Sequence, residues 1–227
     1  MEQLPEIISI CFGLISITTI YLFYLASKKS YIVLCLLLLW LIVQSFLANS
    51  GFYLNTTGFP PRFLLLVLPP LLTMILFFLT AKGRAFIDSL NPVILTYLHT
   101  IRIPVEFVLY ALFIYGVIPE LMTFEGMNFD ILAGLTAPLI AYFGYQKKSI
   151  SIGWRIAWNI ASIGLLLNVV VCAILSAPFP FQQLAFDQPN IAVFHFPFNL
   201  LPGVVVPLVF FSHGACIRQL INERRSL

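Results

Sequence analysis

The chain has 227 residues, of which 60% are hydrophobic and only 9% carry a charge, and its mean hydropathy is +0.99. This composition lacks the polar surface that a soluble fold of this length requires, so lipid is the expected solvent. The net charge of +3 comes from basic residues scattered in twos and threes, which excludes a nucleic-acid patch and a nucleic-acid partner.

Seven apolar stretches follow one another along the chain, and each is long enough to cross a bilayer, which takes about 20 helical residues. We predict spans at roughly residues 5–27, 31–53, 63–80, 92–118, 128–146, 153–176 and 199–221. They leave no room for a separate soluble domain. The sequence therefore predicts an all-α, polytopic membrane protein in which residues 1–227 form a single domain of seven transmembrane helices.

The segments between the predicted spans carry lysine and arginine almost entirely on alternate sides. One side holds Lys28, Lys29, Lys82, Arg84, Lys147, Lys148, Arg218, Arg224 and Arg225, whereas the other holds mainly acids, with Arg62 as its basic exception. Basic loops stay in the cytoplasm. We therefore expect the N-terminus outside, the C-terminus in the cytoplasm, and a location in the plasma (bacterial inner) membrane.

Three segments between spans are unusual. Residues 81–91 mix charges with apolar side chains before Asn91-Pro92, which predicts an interfacial segment and then a capped helix start. The outer segments 120–130 and 177–198 are rich in aromatic residues, prolines and acids, and such loops can fold back or form a lid. Their acids are candidate ligand-binding residues: Glu120, Glu125, Asp130 and Asp187.

The fourth predicted span has one polar face, formed by His99, Arg102, Glu106 and Tyr110 at intervals of 3, 4 and 4 residues. At about 1.5 Å per residue from Asn91, Arg102 and Glu106 lie roughly 16 and 22 Å deep. Charges at that depth cost several kcal/mol unless they face the bundle interior and are paired. One interpretation is an intrahelical ion pair that only braces the bundle. We favour a ligand, ion or proton site, because ionisable residues inside membranes are functional by default.

Other spans place polar side chains at comparable depth. Gln44 and Asn168 are expected near the level of Glu106, although interhelical hydrogen bonds alone explain such residues in many bundles. The candidate binding residues are therefore Arg102, Glu106, Tyr110, His99, Gln44 and Asn168. A second face in the sixth span carries Arg155, Asn159 and Ser162, for which an architectural role is expected nearer the cytoplasm.

Cofactor and catalytic chemistry have little support. His99 and His213 are expected at similar depth and could share one metal or haem iron, but the sequence does not reveal whether they meet. Each has no second histidine on its helix, so we expect no metal and no cofactor. Zinc-protease and nucleophile-elbow motifs are absent from the sequence, and no catalytic residue is assigned.

These features favour a transporter of a small solute or ion, with membrane lipid as its surroundings and a homo-oligomer as a possible assembly. Arg102 would hold an anionic group or keep Glu106 charged, and Glu106 would carry a proton or cation. Tyr110 and His99 would extend the polar path outward and inward. The alternatives are a seven-helix sensor or assembly partner that binds a ligand at its outer loops and, with less support, an intramembrane enzyme.

Overall fold

The structure, a computed structural model, describes residues 4–56, 58 and 60–226. Regular structure in these ranges is helical throughout and includes no strand, which confirms the all-α prediction. The α-helices are α1 Glu6–Ala26, α2 Tyr31–Asn49, α3 Leu64–Leu79, α4 Ala81–Ser89, α5 Pro92–Leu98, α6 Arg102–Ile114, α7 Ile131–Leu139, α8 Ile152–Leu175 and α9 Val206–Arg225.

Several of these helices are long and apolar enough to cross a membrane, which agrees with a membrane location. In the described ranges, five segments qualify: α1, α2, Pro92–Ile114, α8 and Leu201–Arg225. A sixth exists if α3 and α4 are taken as one bent span, and the apolar helix Ile131–Gln146 is shorter than these.

Polar caps define where helices begin. The Ser30 hydroxyl accepts a hydrogen bond from the Val33 amide at 3.5 Å, and the Asn91 side chain accepts from two amides at the start of α5. Thr80 ends α3 and caps α4 by accepting from the Gly83 amide at 3.1 Å. The two helices meet at 93°, the geometry expected of an interfacial segment that follows a span.

The fourth predicted span is interrupted in its middle. A 3-10 turn, His99–Ile101, separates α5 from α6. Pro104 has no amide hydrogen to donate to the Thr100 carbonyl, so the regular α-helical bonding pattern cannot continue through this turn. The interruption lies directly beside Arg102, at the centre of the polar face.

The helices differ in how much of their surface is buried. On α2 only Gln44 and Ala48 are buried, whereas residues such as Ile32 and Phe46 are 75% and 72% exposed. Apolar exposure on this scale suits a lipid solvent. Helices α5, α6 and α9 form the centre of the bundle, where α9 packs against α5 and α8, and α1 packs against α5 and α6.

Candidate functional site

Arg102 lies at the centre of the bundle with 2% of its surface exposed. Its Nη1 donates to Asp130 Oδ1 at 2.9 Å and to the Ser162 carbonyl at 3.4 Å. Its Nη2 lies 2.9 Å from Nε2 of His213. One guanidinium group therefore joins α6 to the start of α7, to α8 and to α9.

The ion pair at this centre differs from the intrahelical one considered from the sequence. Arg102 pairs with Asp130, and none of the ion pairs in the described part of the chain includes Glu106. Asp130 is not an exposed loop acid: it directly precedes α7 and is 4% exposed. The loop before α7 folds inward, so an acid distant in sequence reaches the guanidinium group.

Glu106 is 1% exposed and is held by an amide instead of a cation. Both of its carboxylate oxygens accept hydrogen bonds from Asn128 Nδ2, at 2.7 and 2.8 Å. The Asn128 Oδ1 atom in turn accepts from the backbone amide of Asp130 at 3.0 Å. Glu106 is therefore a buried carboxyl group that is hydrogen-bonded but forms no ion pair with any residue that the structure describes.

The hydrogen bonds of His213 define its tautomer. A guanidinium nitrogen can only donate, so Nε2 of His213 accepts from Arg102 and the ring proton lies on Nδ1. That Nδ1 donates a hydrogen bond to Asn159 Oδ1 at 2.8 Å, and Asn159 Nδ2 donates to the Arg155 carbonyl at 2.9 Å. His213 thus continues the hydrogen-bonded chain from Arg102 into α8.

His99 and His213 meet in space as a stacked pair. Their ring centroids are 3.7 Å apart and their planes differ by 9°. Nitrogen lone pairs lie in the ring planes, so two stacked rings do not direct them at one ion. His99 is fully buried, and within the described residues neither of its ring nitrogens has a hydrogen-bond partner. Among the described residues, no group of three or more His, Cys, Asp or Glu side chains could hold a metal.

These contacts link each residue to the next, with the backbone amide of Asp130 and the backbone carbonyl of Arg155 as two of the linking groups. We call the series the polar path: Glu106, Asn128, Asp130, Arg102, His213, Asn159, Arg155 and Glu223. The last link is the ion pair of Arg155 Nη2 with Glu223 Oε1 at 3.1 Å. Every member is buried except Glu223, whose side chain is 41% exposed. The path thus leads from α6, through the bundle, to the end of α9.

Two of the predicted site residues contact the loop that covers Glu106, residues 115–130, which we call the outer loop after the side predicted for it. The Tyr110 ring stacks on Phe124 with centroids 4.9 Å apart. Asn168 Nδ2 donates to the Met127 carbonyl at 2.7 Å. Tyr110 and Asn168 therefore hold the outer loop against the bundle and are not members of the polar path.

Gln44 lies in a separate buried cluster near the end of α2. Its side-chain oxygen accepts from the Tyr53 hydroxyl, and its backbone carbonyl accepts from Asn199 Nδ2 at 3.1 Å. Gln44 and Glu106 were predicted at similar depth, but they do not contact each other. Depth along a helix does not determine where that helix lies around the bundle.

The remaining acids that were predicted as binding residues lie on the surface. Glu120, Glu125 and Asp187 are exposed, in contrast to the buried Asp130. In the loop before α9, burial lowers the pKa of the His195 imidazole, which favours its neutral form.

Sequence reasoning assigned no role to Asn128 and only an architectural one to Asn159, although both belong to the polar path. Asn128 lies in a loop without periodicity, so no helical face could indicate it. Asn159 shares its face with Arg155 and Ser162, and that shared face was the available signal. The hydrogen bond that gives Asn159 its place comes from His213, 54 residues away.

Comparison with known proteins gives a match to a family model. No curated protein and no solved structure matches the chain. A family model described as a domain of unknown function, DUF8737, matches residues 60–221. The matched region includes the polar path from Glu106 to His213 and most of the 227-residue chain. The protein therefore belongs to the DUF8737 family.

Proposed function

We propose that this protein is a plasma-membrane transporter that moves protons, alone or together with a small solute or ion, along the polar path. The observation that carries the proposal is the series of buried polar residues, each in contact with the next, that leads from Glu106 to the partly exposed Glu223. Ionisable residues that form chains inside membrane proteins mark proton relays and substrate pathways.

The proposal includes the seven-span arrangement with the N-terminus outside. In it, α3 crosses the membrane and α4 lies along the inner surface, and the helix Ile131–Gln146 is the fifth span. The alternation of basic residues supports this arrangement, because an error of one span would invert every later loop. Glu106 then faces the outer half and Glu223 the cytoplasmic end.

A purely architectural role does not explain Glu106. The pair of Arg102 with Asp130 already joins the helices at the centre of the bundle. Glu106 adds a carboxyl group without a counter-ion at a depth where an unpaired charge costs several kcal/mol. A glutamine would still accept one of the two hydrogen bonds from Asn128. A carboxyl group is needed at this position only if it takes up and releases a proton.

The residues of the path have distinct parts in the proposed cycle. Movement of the outer loop away from Glu106 lets a proton reach its carboxylate from outside. Displacement of Asp130 from Arg102 then opens the centre, where the guanidinium group can bind the carboxylate of a small anionic solute in its place. Glu223 exchanges protons with the cytoplasm.

The test is proton flux into vesicles that contain the purified protein and a pH-sensitive dye. A potassium gradient with valinomycin supplies the driving potential. We expect the wild-type protein to acidify the lumen faster than protein-free vesicles, and Glu106→Gln to reduce the rate to the protein-free level. Glu6→Gln removes an exposed acid outside the polar path and serves as the matched control, with an unchanged rate.

The melting temperature of each variant in detergent separates transport from bracing. Glu106→Gln is expected to melt at or above the wild-type temperature, because it keeps the hydrogen bond and removes the unpaired carboxyl group. If wild-type vesicles acidify no faster than empty ones, the proposal that the protein moves protons without a second solute fails. Wild-type flux in Glu106→Gln would remove Glu106 from the mechanism.

A further inference from the structure

A cavity of about 330 Å³, separate from the polar path, lies between α2 and α3. Its volume is at the lower end of the roughly 300–1,000 Å³ range of small-molecule pockets. Segments before and within α9 form its back wall. Its lining is almost wholly apolar and includes Leu37, Trp40, Pro70, Met74 and Pro207.

The cavity has a defined structural cause. Pro207 has no amide hydrogen to donate to the Gly203 carbonyl, four residues earlier. The indole Nε1 of Trp40 donates to that carbonyl instead, at 2.8 Å. This bond ties α2 to the chain before α9 at one point. On α3, Leu66 closes against Gly203, where an added Cβ would lie 2.5 Å from Leu66 Cδ1.

The cavity opens sideways, toward the surroundings of the bundle. Leu36, which lines it from α2, is 61% exposed, and Thr73, which lines it from α3, is also exposed. The faces of α2 and α3 beside the opening expose further large apolar side chains, among them Leu39 and Leu72. In a membrane the material at this opening is the hydrocarbon of lipid chains.

The inner end of the cavity lies against α4, which supplies Phe86 to its lining. Lys82 lies one helical turn before Phe86 on the same helix, and so on the same face. The acid nearest to them on α4, Asp88, is paired with Arg218 Nη2 at 2.7 Å. Lys82 thus offers a positive charge at the end of an apolar cavity, and basic residues at the membrane surface attract anionic headgroups.

We infer that this cavity holds one hydrocarbon chain of an anionic phospholipid, whose headgroup lies beside Lys82. The inference does not depend on the proposed transport function. It rests on the side opening, the apolar lining and the charge at the inner end, whereas the transport proposal rests on the polar path.

Trp40 provides a direct probe of the cavity, because bromine atoms on a lipid chain quench the fluorescence of a nearby indole. The double substitution Trp154→Phe and Trp158→Phe leaves Trp40 as the single tryptophan. Its control, Trp40→Phe with Trp158→Phe, keeps Trp154, which is 70% exposed. Each protein is placed in bilayer discs with increasing mole fractions of brominated phosphatidylglycerol or brominated phosphatidylcholine.

We expect quenching of Trp40 to saturate at a lower mole fraction of phosphatidylglycerol than of phosphatidylcholine. Quenching of Trp154 should follow the bulk mole fraction of either lipid. Thr73→Phe, which fills the cavity, should make Trp40 behave like Trp154, whereas Leu72→Phe on the neighbouring lipid-facing position should not. Lys82→Gln should remove the preference for phosphatidylglycerol.

Three results would overturn the inference. Trp40 quenching that follows the bulk mole fraction in the protein without Thr73→Phe would mean that no chain is held. Equal saturation with both lipids would exclude recognition of the anionic headgroup. Absence of Trp40 quenching together with crosslinked dimers would show that a second copy of the chain covers the cavity.

Discussion

Asp130 neutralises Arg102 at a place where neither side chain reaches water, since the side chains are 6% and 3% exposed. A buried ion pair adds little to stability over apolar residues of similar size, but removal of one partner leaves an uncompensated charge. Glu106 differs from Asp130, because its carboxylate oxygens accept hydrogen bonds from the Asn128 amide and not from a cation. Two acids on the same path therefore differ in what their replacement does.

We expect Asp130→Asn to lower the free energy of unfolding by about 3–5 kcal/mol, because Arg102 keeps its charge without an anionic partner. The double variant Arg102→Met with Asp130→Asn should be less destabilised than Asp130→Asn alone. Thermal melting in detergent measures both. Equal losses in the single and the double variant would contradict an ion pair at this centre.

His99 differs from both acids. Its ring is buried, and its two nitrogens have no hydrogen-bond partner among the described residues. His99→Phe keeps an aromatic ring against His213 and removes these two groups, so we expect it to raise the free energy of unfolding by about 1–3 kcal/mol. His99→Ala removes the stacked ring and should cost about 3–5 kcal/mol, as other aromatic truncations in cores do. Guanidinium or thermal unfolding in detergent checks both values, and a destabilised His99→Phe would show that the ring nitrogens are satisfied.

At the scale of elements, the junction of α3 and α4 depends on Gly83. An added Cβ at this position would lie 2.3 Å from the backbone carbonyl oxygen of Phe77, which cannot move away as a side chain can. The close approach allows α4 to fold back at 93° to α3. This angle places α4 against one end of the apolar cavity, where Phe86 contributes to the lining.

Gly83→Ala is therefore expected to lower the free energy of unfolding by about 1–3 kcal/mol through overpacking. Gly164→Ala in α8 is the matched control, since nothing lies within 4 Å of its added Cβ. That control should gain up to about 1 kcal/mol from helix propensity. Melting temperatures of the two variants should move in opposite directions, and a shared direction would remove the steric account.

Element boundaries show which local features the sequence predicts. The cap and first-turn proline at Asn91-Pro92 were predicted, and Asn91 Oδ1 does accept from the amides of Val93 and Ile94. Residues 92–118 were predicted as one span, and in the structure a 3-10 turn interrupts the helix and α6 ends at Ile114. Capping depends on neighbouring residues, whereas the position of a break also depends on the contacts around it.

At the scale of the whole molecule, the proposed topology depends on whether the short helix Ile131–Gln146 crosses the membrane. We expect that it does, which places the outer loop and the 147–151 segment on opposite sides. Its 16 residues are fewer than the roughly 20 of an average span, so local thinning of the bilayer would accompany the crossing.

Cysteine labelling in intact cells tests the crossing. In a background without the four native cysteines, Glu125→Cys should react with a membrane-impermeant maleimide, because the outer loop faces outside. Ser149→Cys, which is equally exposed in the fold, should react only after the cells are lysed. Labelling of both positions in intact cells would show that residues 131–146 do not cross, and would overturn the seven-span proposal.

The sequence by itself determined that the fold is helical, that its helices are long and apolar, and that Arg102 and Glu106 share a buried face. Composition and a 3.6-residue period act locally, so they can be read along the chain. Only the tertiary structure decided that Arg102 pairs with Asp130, 28 residues away, and meets His213, 111 residues away. Such partners depend on how helices rotate and loops fold back, because a side chain bonds with whichever group packing brings within about 3 Å.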